Sequence, residues 1–197
     1  MKRTNYFNIA IITFIAILIG AIAYYSYTQM HGGSMKTYTN PAYGISFDYP
    51  SHYNLEENSL SSVQGATVVV LTDKKSIIPS NGEGPVSITV GMYPLSAFSF
   101  PAGANQLLSW ITSSPYSNFA QSSQTQPSLT TVGTKNAYLY TWDGLYQGTT
   151  VATTHEANIV VFSVTYDGNN DMQIRKDFTD LVANVQFTGA TSTLPVN

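Results

Sequence analysis

From Ile45 to Pro50 apolar and polar positions alternate, Ile45, Phe47 and Tyr49 against Ser46 and Asp48, the period of a strand that buries one face. Asn40-Pro41 and Gly44 supply the turn before it, because proline fixes φ, holds its predecessor extended, and glycine takes φ > 0 at the exit. Tyr38 to Pro50 therefore reads as two strand runs either side of a turn, ended by a proline with no N–H for a ladder. The alternation returns at Pro85 to Tyr93, where Val86, Ile88, Val90 and Met92 share one face and Ser87 and Thr89 the other. Val68 to Leu71 is a further β-rich run. Asp73 to Gly84, with Pro79-Ser-Asn-Gly-Glu-Gly84, reads as the surface loop between them.

Later in the chain three runs, Ala137 to Tyr146, Thr149 to His155 and Asn158 to Tyr166, are separated by Gln147-Gly148 and Glu156-Ala157. Those spacings predict a meander of tight hairpins, with Asp143-Gly144 as the alternative turn. Helical spacing appears twice. Asn105 to Ser113 groups Leu107, Leu108 and Ile111 on one side with Trp110 near them, and Pro115 stops it. Ile174, Phe178, Leu181, Val182 and Val185 form a second stripe that must lie on a sheet, with an N-cap among residues 169–171. Arg175, Lys176, Asp177 and Asp180 are expected to face water. Ser117 to Ser128, poor in charge and apolar content, reads as a loop. The fold predicted is α+β, an antiparallel β-sheet flanked by helices as a layered α/β/α sandwich.

The first 25 residues change the picture. Phe7 to Tyr25 is an uncharged run of 19 residues, interrupted only by Asn8 and Thr13. As a helix it is about 28 Å long, close to the roughly 30 Å of a bilayer core. Lys2 and Arg3 precede it and no base follows until Lys36, which keeps the N-terminus cytoplasmic and sends the rest outside. The organisation expected is a cytoplasmic stub and transmembrane signal-anchor at 1–29, a linker at 30–36 holding His31, a domain at 37–189 and a flexible tail at 190–197. Cleavage after Ala23, at Ala21-Ile22-Ala23, is the alternative and exports the same domain.

Charge and composition exclude more than they assign. There is no cysteine, so no disulfide, thiolate metal site or lipid-bearing cysteine. From Lys36 onward 6 bases face 11 acids, which argues against nucleic acid. No Gly-x-Ser-x-Gly elbow and no phosphate-cradling glycine loop occurs. His52 lies near Asp48, Glu56 and Glu57, a set that could hold zinc or a hard cation, and His155 is followed by Glu156. Neither set has a metal-binding helix spacing, so the His52 group reads as a solvated acidic loop. No catalytic, cofactor or metal residue is assigned, and no enzyme is expected. Aromatic residues are the richer signal, at 14 Tyr, 9 Phe and 2 Trp. Tyr138, Tyr140, Trp142 and Tyr146 are even numbers of positions apart and should share a sheet face. They read as core beneath the final helix, or, if wet, as a platform for a protein or glycan.

The opening Tyr-Thr-Asn-Pro-Ala-Tyr-Gly-Ile-Ser-Phe-Asp-Tyr-Pro of Tyr38 to Pro50, the order of later elements, and the closing Phe-Thr-Asp-Leu-Val-Ala-Asn-Val-Gln-Phe of Phe178 to Phe187 resemble PsbP-like domains. This family includes a photosystem II accessory protein and many membrane-tethered bacterial proteins. The resemblance runs from about Lys36 to Gly189, and departs at Tyr53, where many relatives place tryptophan. It implies an accessory or binding role without catalysis, and no docking or ion-retention residues match. The expectation is a membrane-anchored extracytoplasmic binding domain, with a membrane or envelope protein complex as its partner. The alternative is a ligand- or envelope-glycan-binding module that uses exposed aromatic residues. Loops 73–84 and 117–128 are the expected contact surfaces.

Overall fold

The structure, a computed structural model, describes residues 34–76, 84–119, 125–167 and 171–189. Among these residues it is mostly β-sheet with two α-helices. In chain order the strands are β1 (Met35–Asn40), β2 (Ile45–Pro50), β3 (Tyr53–Ser59), β4 (Thr67–Asp73), β5 (Ser87–Pro94), β6 (Ser128–Val132), β7 (Lys135–Asp143), β8 (Gln147–His155), β9 (Asn158–Tyr166) and β10 (Gln186–Phe187). The helices are α1 (Gln106–Ser113) and α2 (Met172–Ala183). Seven strands form one antiparallel sheet in the order β3-β4-β5-β9-β8-β7-β6, and β1-β2-β10 form a small second sheet. The opening turn is as expected, with Gly44 at φ +59°. β5 and β9, far apart in sequence, pair from Ile88↔Val164 to Pro94↔Asn158 and form the middle of the large sheet.

Strand alternation sends side chains to two separate cores. On one face α2 packs against β9, β2 and β5. Ile174, Phe178 and Leu181 of α2, with Val185 beyond it, join Phe47 of the small sheet and Leu71, Ile88, Val90 and Phe162 of the large one. The other core gathers Leu107, Trp110 and Ile111 of α1 with Tyr93, Tyr140, Trp142, Ile159 and Val161. Asn105 caps α1 by accepting a 3.1 Å hydrogen bond from the Leu108 N–H, which satisfies one of the orphan donors of a helix start.

Several expectations are corrected. The β7–β8 turn is Gly144-Leu145-Tyr146, with Asp143 opposite Gln147, so the Asp143-Gly144 alternative holds and Gln147-Gly148 lies inside a strand. Tyr138, Tyr140 and Trp142 do share a face, but it is the α1 face and not the one beneath the final helix. Tyr146 is in the turn, where its hydroxyl donates to the Gly84 carbonyl. Asp177 does not face water: it is 5% exposed, between α2 and β3. Met35 and Lys36, assigned to the linker, begin β1. The acidic stretch after His52 is not a loop but the edge strand β3, with Tyr53 and Leu55 turned inward. Among the described residues no helix is long and apolar enough to cross a membrane. Phe7 to Tyr25, the linker up to Gly33, residues 77–83 and 120–124 of the expected contact loops, and the tail from Ala190 lie outside the described residues.

Candidate functional site

The α1 face of the large sheet carries both an aromatic core and a groove. α1 and the aromatic residues around it cover Tyr140, Ala152 and Ile159, and the face continues beyond them as a row of hydroxyl side chains. There lies a groove of about 350 Å³. Thr89 and Gly91 of β5 and Ser163 and Thr165 of β9 form its floor, Tyr93 with Tyr116 one wall and Trp142 another, and Asn118 stands at the rim. Asn118 sits at φ +62°, a left-handed conformation that asparagine tolerates better than most residues.

Two glycines let the rings lie flat. A Cβ on Gly91 would stand 2.6 Å from Tyr93 Cε2 and 2.8 Å from the Tyr93 hydroxyl. A Cβ on Gly148, the cross-strand partner of Trp142, would stand 2.1 Å from Trp142 Cζ2. The Trp142 Nε1–H donates to Thr150 Oγ1 at 2.9 Å, and Thr150 shares a 2.8 Å hydrogen bond with Ser163. Thr165 Oγ1 accepts from the Ser87 N–H at 2.9 Å.

Tyr93 differs from these. Its ring is 6% exposed and packs on Trp110 and Tyr116, with centroids 5.3 and 5.6 Å away, yet its hydroxyl has no hydrogen-bond partner among the described residues. Burial, reinforced by the neighbouring Tyr116 phenol, pushes its pKa up to about 12. Among the described residues the buried polar atoms without a partner are Trp110 Nε1 and His155 Nδ1; the Tyr93 hydroxyl is not one of them, because it opens on the groove, where water or a ligand can bond it. Among the described residues the Thr89 hydroxyl and the Asn118 carboxamide likewise have no partner. Among the described residues no charged side chain lines the groove.

The ionisable residues singled out in the sequence lie elsewhere. His52 is not gathered with Asp48, Glu56 and Glu57; its Nε2 lies 3.5 Å from Asp177 and 4.0 Å from Asp73. Asp48 accepts from the Thr37 hydroxyl and Glu57 from the Tyr38 hydroxyl, while Glu56 is exposed on β3. Asp177 accepts from the Tyr53 hydroxyl at 3.0 Å and from Gln173 Nε2 at 2.7 Å, a hydrogen-bonded pin between α2 and β3. Burial first, and then the nearby Asp177, pushes the Tyr53 pKa far up. His155 is buried against Phe187, with Nε2 2.7 Å from the Thr188 carbonyl, and Glu156 is in the exposed turn that follows. Among the described residues no three His, Asp or Glu side chains are placed to hold a metal ion.

Of the groove residues, Trp142 was singled out in the sequence, and Thr89 only as the polar side of its strand. Gly91, Tyr93, Tyr116, Asn118, Ser163 and Thr165 come from three separate stretches that no local pattern joins.

Seven antiparallel strands between α1 on one side and α2 with a small sheet on the other define a PsbP-like fold. Among solved structures the chain is similar to cyanobacterial PsbP (CyanoP) from Synechocystis sp. PCC 6803, with a TM-score of 0.55 and 12% identity over 79% of this chain and 94% of that one. A Bacteroides thetaiotaomicron protein matches with a TM-score of 0.44 and 13% identity over 81% of this chain, which spans 51% of that protein. No protein-family model matches the sequence, and no curated protein does.

Proposed function

We propose that this chain is a non-catalytic binding domain, held outside the cytoplasmic membrane by Phe7 to Tyr25 and serving as an accessory to a membrane or envelope assembly. The observation that carries this reading is the groove: among the described residues it is lined by rings, hydroxyls, apolar side chains and a carboxamide, and by no acid, amine, imidazole or thiol. A serine or threonine hydroxyl there has no such group beside it to take its proton, and burial holds the Tyr93 pKa up at about 12, away from the neutral range that acid–base catalysis uses. Binding needs only shape and matched hydrogen bonds. The buried carboxylate of Asp177 has a structural partner in Tyr53 and is on the opposite face of the sheet. The PsbP-like fold agrees with an accessory role, and the bases at Lys2 and Arg3 support the outward orientation.

The test is photo-cross-linking in intact cells from a reactive side chain at Asn118, with exposed Thr179 on α2 as the control position. A defined envelope component captured from Asn118 and not from Thr179 is expected. Equal capture from both positions, or a domain shielded from external protease in spheroplasts, overturns the reading.

A further inference from the structure

We propose that the groove beside Tyr93 binds a neutral sugar ring of a glycan, an assignment that rests on reading the domain as a binding module. Tyr93 carries it. Its side chain is 6% exposed, it lines the groove, and its hydroxyl lies over Gly91 in the floor with no protein partner among the described residues. The Thr89 hydroxyl and the Asn118 carboxamide border the same space, also without partners among the described residues. Three groups that both donate and accept hydrogen bonds therefore converge on one pocket.

The ligand's chemistry follows from the lining. Among the described residues no charged side chain is present there to replace the hydration of an ion, so an anionic or cationic ligand would lose solvation without compensation. The indole N–H of Trp142 is already held by Thr150, so the ring offers the groove an apolar surface and not a donor. A pyranose matches both features, with hydroxyls for the floor and a C–H face for the ring. The volume of about 350 Å³ is at the small end of the roughly 300–1,000 Å³ usual for ligand pockets, room for one or two rings. An extended peptide is the poorer fit. Strand addition needs an unpaired sheet edge, whereas this floor belongs to β5 and β9, each paired on both sides.

The test is titration of the full 197-residue chain, ¹⁵N-labelled, in micelles of a detergent without a sugar headgroup. The probes are maltotriose, cellotriose and tri-N-acetylchitotriose, with trigalacturonate and a proline-rich peptide as the competing classes. The two tryptophans give two indole signals, and Trp110 is outside the lining. A neutral trisaccharide should move the Trp142 indole and the Thr89, Gly91 and Ser163 amides, saturably, and leave the Trp110 indole in place. Tyr93→Phe, which keeps the ring on Gly91, should weaken that binding about tenfold with an unchanged melting temperature. Thr89→Val should weaken it similarly. The assignment is overturned if no neutral saccharide moves these signals, if trigalacturonate or the peptide occupies the groove instead, or if Tyr93→Phe binds as the parent does. Cleavage of a bound saccharide would refute the non-catalytic reading and leave the sugar site standing.

Discussion

The two faces of the seven-stranded sheet are built from the same strands and finished differently. β5 sends Ile88, Val90 and Met92 under α2, and Thr89, Gly91 and Tyr93 to the α1 side. β9 sends Val160, Phe162 and Val164 one way and Val161, Ser163 and Thr165 the other. The first face is closed over by a helix and a second sheet, and its buried carboxylate has two donors. The second carries the groove, and polar groups there have no protein partners among the described residues. Because the period of a strand is two, one segment can carry a stabilising surface and a binding surface with little conflict. Stability is then expected to depend on one set of positions and ligand capture on the other.

Phe178→Ala should break the closed face most severely. The side chain is 5% exposed in that core, and its removal should cost about 3–5 kcal/mol of a typical 5–15. Urea unfolding measures it, and an unchanged midpoint would show that α2 is not the cover. Tyr53→Phe comes next, at about 1.5–3 kcal/mol, because it removes a hydrogen bond to a buried carboxylate. Tyr93→Phe at pH 7 should stay within about 0.5 kcal/mol, since the hydroxyl it deletes bonds to nothing described. Equal losses from the two tyrosine variants would erase the distinction between the faces.

Alkaline pH sharpens the comparison further. Burial above all raises the pKa of Tyr38 and Tyr93 to about 12 and those of Tyr53 and Tyr140 higher still. The phenols stay protonated in the fold, while the unfolded chain loses those protons near pH 10, so above that pH the unfolded state binds fewer protons and stability falls. The contribution is whole below about pH 10 and is lost as pH rises toward 12 and beyond. Each tyrosine adds at most about 1.4 kcal/mol per pH unit to the decline. Unfolding free energies of Tyr93→Phe measured from pH 9 to 11.5 should decline less steeply by one such share. An unaltered slope would mean that the groove hydroxyl ionises as freely in the fold as out of it.

Local pattern made much of the frame legible. β2, β5, β9, α1 and α2 each carry a periodic apolar side, and Asn105 and Gly44 are turn and cap residues with a clear conformational reason. β3 and β6 were missed because edge strands need few apolar positions: β3 buries Tyr53 fully among exposed Glu56, Glu57 and Asn58, and β6 buries only Val132. Asp177 read as wet because its sequence neighbours Arg175 and Lys176 are exposed, and nothing local announces Tyr53 as its partner. The groove was hidden for a related reason. Its floor exists only after β5 and β9 pair across a long stretch of chain, and Tyr93 and Trp142 read as ordinary core until the glycines beneath them are seen.

The contact of Trp142 with Gly148 also acts on assembly of the sheet. Sliding β7 past β8 by two residues would keep every side chain on its proper face, so burial alone cannot reject the misaligned hairpin. Such a slide would set Tyr146 or Thr150 opposite the indole, and either side chain would occupy the space where the ring must lie. A single missing Cβ thus works as an alignment key: only one offset lets the indole lie flat, and the hairpin offers β9 a template with one set of partners.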